Sequence, residues 1–364
     1  MINLEKIKNL AQSFNLPIED VLFVALNIFG ANFECDFNRM RMGLHVTNEE
    51  IFSYAKQLGV RDFYFALPIN AKSPFSVKND RLMLNGRILG KAVNPSEDFC
   101  DSNYPRRGGT VLNFNPNSRT SCHGCKFCYT GYQVARDKTV ITEEKDLSAF
   151  FQEWMCDNDL PDLSQLIQLA VVTGCYNSNN DLYDFLLMLK KVLTKYKFNG
   201  EIFYIGSQIT DSEILKKLVD IQPFGYCASL ECFEGRKALL RDKKNELSIE
   251  KAFELMAVAK SFGHRVNFSY VLGLETLQLV KKYFSLSKEY INSFPIVNTI
   301  QIHKYHSRNL LTPEAHKIEY FFKARKIIEE IFLDTDMKPR VWENYRSLWF
   351  LKFRNEVLRG IRTP

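Results

Sequence analysis

Between residues 110 and 332 the sequence alternates six times between a short β-prone apolar run and a longer amphipathic run. The short runs, expected as strands, fall at 111–114, 166–172, 201–205, 226–230, 265–272 and 297–302. The long runs, expected as helices, fall at 143–155, 181–193, 211–219, 248–262, 274–291 and 314–332. Such alternation implies strand–helix–strand crossovers and therefore a parallel sheet. Six units are too few for a closed eight-stranded barrel, so an open sheet or a partial barrel is expected. In either, ligands gather at the carboxyl ends of the strands. The residues before and after this region read differently. The first hundred combine helical patterns at 2–14 and 18–29, a capping-type Thr47-Asn48-Glu49-Glu50, a strand at 62–67 and a hairpin over 75–84. A stretch rich in Pro, Gly, Ser and Asp at 96–109 is the expected linker. The predicted organisation is an α+β extension at 1–105, the partial barrel at 106–310 and a helical tail at 311–364, with 342–350 read as part of a packed helix.

The loop after the first expected strand holds Cys122, Cys125 and Cys128 within the run Ser-Cys-His-Gly-Cys-Lys-Phe-Cys-Tyr. Three thiolates at two-residue gaps can converge on one small metal centre and leave a coordination position open. A structural zinc site asks for four protein ligands. No second C-x-x-C follows, and the other cysteines (35, 100, 156, 175, 227 and 232) are scattered singly. His123, inside the loop, could complete such a site only with a contorted backbone. Disulfides are disfavoured by an odd total of nine cysteines and by the lack of a secretory pattern at the N-terminus. Iron–sulfur chemistry fits better, because C-x2-C-x2-C supplies three ligands of one [4Fe–4S] cluster in bacterial ferredoxins.

In these features the chain resembles the radical S-adenosylmethionine (radical SAM) enzymes. Their hallmark, C-x3-C-x-aromatic-C with a frequent following Tyr, is matched over Cys125-Lys126-Phe127-Cys128-Tyr129, while the first gap is one residue shorter. The resemblance covers roughly residues 110–310. It implies an α/β partial (β/α)6 TIM-like barrel with a cluster in the loop after the first strand. The implied metal ligands are Cys122, Cys125 and Cys128. The implied SAM contacts are Phe127 and Tyr129 in the loop, and Thr173 and Gly174 after the second strand, where the family has Gly-Gly-Glu. Ser229 and Glu231 end the fourth strand, Arg241 lies beyond it with Arg236, and Gly273 ends the fifth. The implied cofactors are a [4Fe–4S] cluster and SAM. The implied reaction is one-electron cleavage of SAM to a 5′-deoxyadenosyl radical, which then modifies a peptide, a natural-product intermediate or a nucleic acid. An external reductant of flavodoxin or ferredoxin type is implied as partner. The other reading that the cysteines leave open is a non-catalytic iron–sulfur or zinc protein that transfers electrons or binds a partner.

The remaining signals are weaker. A net charge of +6 permits an anionic partner without requiring one. No apolar run is long enough to span a bilayer, so a cytoplasmic location without membrane contact is expected. His303 and His306 near the sixth strand, and Cys175, Cys227 and Cys232 in or near strands, read as structural residues. The arginines and lysines of the tail read as a solvated face.

Overall fold

The computed structural model describes residues 2–99, 103–117, 124–128, 140–172, 176, 178–241, 243–303 and 307–364. Two compact units make up the chain. One comprises 1–99, 270–288 and 294–363, and the other 100–269 and 289–293 with the last residue.

The first unit opens with helices α1 (Leu4–Phe14) and α2 (Ile18–Phe29), which pack on each other. Asn3 caps α1 by accepting from the Lys6 amide at 2.8 Å, as its short polar side chain favours at a helix start. Strand β1 (Asn32–Phe33) and strand β2 (Arg39–Val46) follow, then the short helix α3 (Ser53–Gln57). Strands β3 (Asp62–Pro68), β4 (Phe75–Lys78), β5 (Arg81–Leu84) and β6 (Arg87–Glu97) complete a six-stranded sheet in the order β1-β4-β5-β6-β2-β3. The expected hairpin is the β4–β5 pair. Asn79 and Asp80, at its turn, both have positive φ, which short polar side chains tolerate. The sheet also contains β2 and β6, which the sequence reading left unassigned, and β6 runs two residues into the stretch expected as a linker.

The second unit begins with β7 (Tyr104–Arg106), antiparallel to β8 (Val111–Phe114), so the irregular linker expected over 96–109 contains a strand. From β8 the alternation proceeds as the sequence implied. Helix α4 (Glu144–Asp157), strand β9 (Gln168–Val172), helix α5 (Asn179–Lys195), strand β10 (Glu201–Gly206) and helix α6 (Ser212–Lys217) come first. Strand β11 (Phe224–Glu231), the short helices α7 (Arg236–Leu239) and α8 (Lys243–Glu246), helix α9 (Ile249–Ser261) and strand β12 (Arg265–Leu272) follow. Helix α10 (Leu277–Ser287), strand β13 (Ile296–Thr299), helix α11 (Glu319–Ile331) and a hairpin of β14 (Lys352–Phe353) and β15 (Glu356–Val357), which all belong to the first unit, close the chain. Residues 342–350 are turns and bends rather than the helix expected there, although Trp349 is 1% exposed.

The barrel sheet has the order β13-β12-β11-β10-β9-β8-β7, each strand beside its chain neighbour. The pairs β8–β9, β9–β10 and β10–β11 are parallel. This is the strand order of a partial (β/α)6 barrel carrying one antiparallel strand at its β8 edge. Its two faces differ, as strand periodicity requires. One face carries large apolar groups (Tyr204, Tyr226, Phe268, Tyr270), and Tyr270 meets Phe284 of α10 edge-on with ring centroids 5.2 Å apart. The other carries small and polar ones, including Ala170, Gly225, Ser229, Asn267 and Ser269. At the strands' amino ends this second face is closed by a charged plug. Arg265 donates from Nε and Nη2 to Glu201 at 2.8 and 2.9 Å, Gln168 Nε2 donates to Glu201 at 2.6 Å, and the Arg265 guanidinium lies 3.9 Å from the Phe203 ring centre. Paired charge at this depth is tolerated because every member is bonded.

Gly225 makes room for the plug: a Cβ there would lie 2.6 Å from Phe203 and 2.8 Å from Glu201 Oε1. Gly225→Ala is therefore expected to destabilise the second unit by about 1–3 kcal/mol, the usual cost of overpacking. Urea titration followed by circular dichroism reads the effect, and an unchanged midpoint would show that the plug yields freely.

Candidate functional site

The cysteine loop follows β8, at the carboxyl end of the first parallel strand, where βα loops carry the chemistry of such folds. Five of its residues, Gly124 to Cys128, are described. Gly124 has φ +69°, a conformation glycine adopts without strain. A tight turn then forms, in which the Cys128 amide donates to the Cys125 carbonyl at 2.8 Å. Lys126 and Phe127 occupy the corner. Lys126 points to solvent, and Phe127 and Cys128 are half-buried. Cys125 is buried at 8% exposure.

The segment after β11 supports this loop. The Lys126 amide donates to the Leu239 carbonyl at 2.9 Å, and the Arg241 amide bonds to Cys125. Arg236 holds the segment in place. Its Nη1 donates to the Leu230 and Cys232 carbonyls at 2.6 and 2.7 Å, and its Nη2 to the Lys244 carbonyl at 2.6 Å. One guanidinium thus ties the end of β11 to α8, which its rigid fork of donors suits. Expected as a possible SAM contact, Arg236 is engaged with the backbone here, and the Arg241 side chain is exposed.

At the end of β11 the chain makes a strained turn. Glu231 has φ +65°, and the Cys232 amide donates back to the Leu230 carbonyl at 2.8 Å. An i to i+2 bond around a positive φ is the rarer, strained form of γ-turn, and a glutamate gains nothing locally from adopting it. Strain of this kind persists where surrounding structure holds it, and it concentrates at functional sites. Glu231 Oε1 accepts from Lys244 Nζ at 2.8 Å and from Ser269 Oγ of β12 at 3.2 Å. Ser229, two residues earlier on the same face, is 5% exposed.

These groups act on one another electrostatically. Burial pushes the Cys125 thiol up to about 11, and the nearby Glu231 and Cys128 push the same way. The Lys244 ammonium and the Arg241 amide pull it down without offsetting burial. A buried thiol in this setting ionises readily once a cation coordinates it, because metal ligation removes the thiol proton. Two cysteines in one turn, an amide donor to one of them and an ammonium nearby are a donor set that fits a thiolate-ligated iron–sulfur cluster. Among the described residues no group of three His, Cys, Asp or Glu side chains is gathered for a metal; Cys122 lies outside the described residues.

Tyr129, Thr173 and Gly174 also lie outside the described residues, as do Cys175 and His306. Gly273 belongs to the first unit. It has φ +120°, its carbonyl accepts from the Thr312 amide at 2.9 Å, and a Cβ there would run into Ile300. In this setting only glycine fits. His303, Cys227 and Cys232 are described and buried. Sequence reasoning passed over Lys244 and Ser269. Lys244 sits in the polar run Arg-Asp-Lys-Lys-Asn-Glu at 241–246, which reads as solvated surface. Ser269 is one residue within an apolar strand, and only pairing with β11 gives it a partner.

No family model matches the sequence, and no curated protein matches it. Among solved structures, the chain is similar to coproporphyrinogen III oxidase (HemN) from Escherichia coli, described as a radical SAM enzyme. The identity is 15%, 64% of this chain and 54% of that one are covered, and the TM-score is 0.42. It is also similar to the FeFe-hydrogenase maturase HydG from Carboxydothermus hydrogenoformans (14% identity, 62% and 51% covered, TM-score 0.41). A third is Streptococcus suis SuiB bound to S-adenosylmethionine (12% identity, 56% and 43% covered, TM-score 0.40). The chain spans about half the length of each. By its own strand order and parallel pairing, the chain is an α/β protein with a partial (β/α)6 barrel, and its cysteine turn lies in the first βα loop.

Proposed function

We propose that the chain is a radical SAM enzyme. The observation that carries this reading is the cysteine turn in the first βα loop, with Cys125 buried and braced by the segment that follows β11. Cys122, Cys125 and Cys128 would hold a [4Fe–4S] cluster and leave one iron for the amino and carboxylate groups of SAM. With SAM bound, the cluster supplies a one-electron cleavage that yields methionine and a 5′-deoxyadenosyl radical. The protein's part is to bind and orient. Phe127 and Tyr129 would cover the cofactor, the backbone at Thr173 and Gly174 would receive the SAM amino group, and Ser229 and Glu231 would accept the ribose hydroxyls. Arg241 would meet the carboxylate, and Gly273 would let the backbone pass close to the adenine. Residues 106–310 would form the catalytic unit, with 1–105 appended for recognition and 311–364 as a C-terminal tail. The substrate would be a peptide, a small molecule or a nucleic acid, the electron donor a flavodoxin or ferredoxin, and the location cytoplasmic. Among the described residues no helix is long and apolar enough to cross a membrane.

The test is anaerobic reconstitution with iron and sulfide, reduction, and addition of SAM. The expected result is a cluster whose electron paramagnetic resonance signal changes with SAM and which releases methionine and 5′-deoxyadenosine. An unmoved signal with neither product overturns the assignment. Single Cys125→Ala and Cys128→Ala variants are expected to reduce bound iron and sulfide to background. Retention of a full cluster by either removes that residue as a ligand.

A further inference from the structure

The loop between β11 and α9 has a role beyond closing a barrel unit. Four of its backbone groups are committed to the cysteine turn or to its own anchor: Leu239 O accepts from Lys126, the Arg241 amide bonds to Cys125, and Cys232 O and Lys244 O accept from Arg236. Lys244 pairs with Glu231, and Glu231 is steadied in turn by Ser269. The ion pair is largely shielded, with side chains 27% and 12% exposed. Shielding matters because a charge in such a setting acts on neighbours far more strongly than one in bulk water.

We propose that Lys244 is a positioning residue that sets the electron affinity of the centre held by Cys125 and Cys128, with Glu231 and Ser269 holding its ammonium in place. The proposal rests on the assignment of a thiolate-ligated cluster made above. One electron from the external reductant enters the centre and lowers its charge by one, and no bond forms or breaks at Lys244. A fixed positive charge favours the reduced, more negative form, so it raises the reduction potential. Glu231 acts in the opposite sense, and Ser269 affects only the placement of the pair. Net charge and hydrogen bonds near the sulfurs are the known levers on such potentials.

The experiment is a redox titration of the reconstituted, SAM-free full-length protein, read by electron paramagnetic resonance. Lys244→Met is expected to lower the reduced-to-oxidised ratio at a fixed potential by about tenfold, about 59 mV for a one-electron couple. Lys244→Arg, which keeps the charge, is expected to match the wild type, and Glu231→Gln is expected to shift the ratio the other way. A centre that assembles normally in Lys244→Met at the wild-type potential overturns this inference and leaves the function assignment standing. If the wild type assembles no centre, both fall. If Lys244→Met and Lys244→Arg both lose the centre, the side chain acts through packing rather than charge, and the inference is again overturned.

Discussion

Replacing Arg325 with Met is expected to cost the first unit about 3–5 kcal/mol, the usual penalty for stranding a buried charge. Arg325 is 1% exposed and Asp20 is fully buried. Arg325 Nη1 donates to Asp20 Oδ2 at 2.7 Å and to the Leu348 carbonyl at 2.8 Å, Nε donates to Glu329 at 2.9 Å, and Nη2 donates to the Lys352 carbonyl. Asp20 Oδ1 accepts from the Leu351 amide at 2.8 Å, and Trp349 Nε1 donates to the same Glu329. Helix α2, helix α11 and the irregular C-terminal segment therefore share one polar knot. Truncating the arginine takes a donor from two carboxylates, Asp20 and Glu329, and from two carbonyls. The pH dependence identifies the cause. Burial pushes the Asp20 carboxyl above its ordinary value, and Arg325 pulls it down. Without Arg325 it rises further. A folded-state pKa above the unfolded one means that the folded state binds the proton more tightly, so stability falls as pH rises through and beyond the ordinary carboxylate range. The variant should thus be least destabilised in acid, and adding Asp20→Asn should restore part of the loss at neutral pH. Urea melts across pH 4–8 decide it: a penalty independent of pH would mean that packing, not charge, is lost.

This knot shows what sequence could not convey. Asp20 and Arg325 lie 305 positions apart, and each alone reads as an ordinary charged residue on an amphipathic helix. The barrel units were legible because period-2 apolar strands and 3.6-period helices are local signals. The caps were local too: Ser178 and Asp181 form a reciprocal capping box at α5, and Ser248 accepts from the Lys251 amide at α9. The cysteine turn was legible for the same reason. Strand β2 carries the same local signal, since Met40, Met42, Leu44 and Val46 alternate with polar residues or Gly43 and are buried, whereas β6 is obscured by the Asn94-Pro95 pair within it. The expected helix at 342–350 failed because aromatic residues there fill the core from turns. Trp349 meets Phe294 and Phe353 edge-on with centroids 5.1 and 5.7 Å apart, contacts that need no helix. Within the site, Ser229 and Glu231 are named by the family resemblance alone, whereas Lys244 becomes visible only through its ion pair with Glu231.

Glu231 is also where stability and binding are expected to part. Glu231→Gly removes a side chain from a residue at φ +65° and so relieves backbone strain of about 1–3 kcal/mol. It also removes the acceptor for Lys244 and Ser269, whose partly exposed bonds contribute less than fully buried ones. The melting temperature should therefore stay level or rise. SAM affinity of the reconstituted protein should fall about 10–100-fold, as loss of hydrogen bonds to a charged acceptor implies. Glu231→Gln separates the two effects. It keeps the strained turn and most of the shape but loses the charge, so it should weaken SAM binding without the gain in stability. Calorimetric titration with SAM and thermal melts of the same samples give both readings. Wild-type affinity in Glu231→Gly would exclude the carboxylate from the SAM site. A melting temperature lowered by several degrees would show that the glutamate holds β11 to β12 for structural reasons.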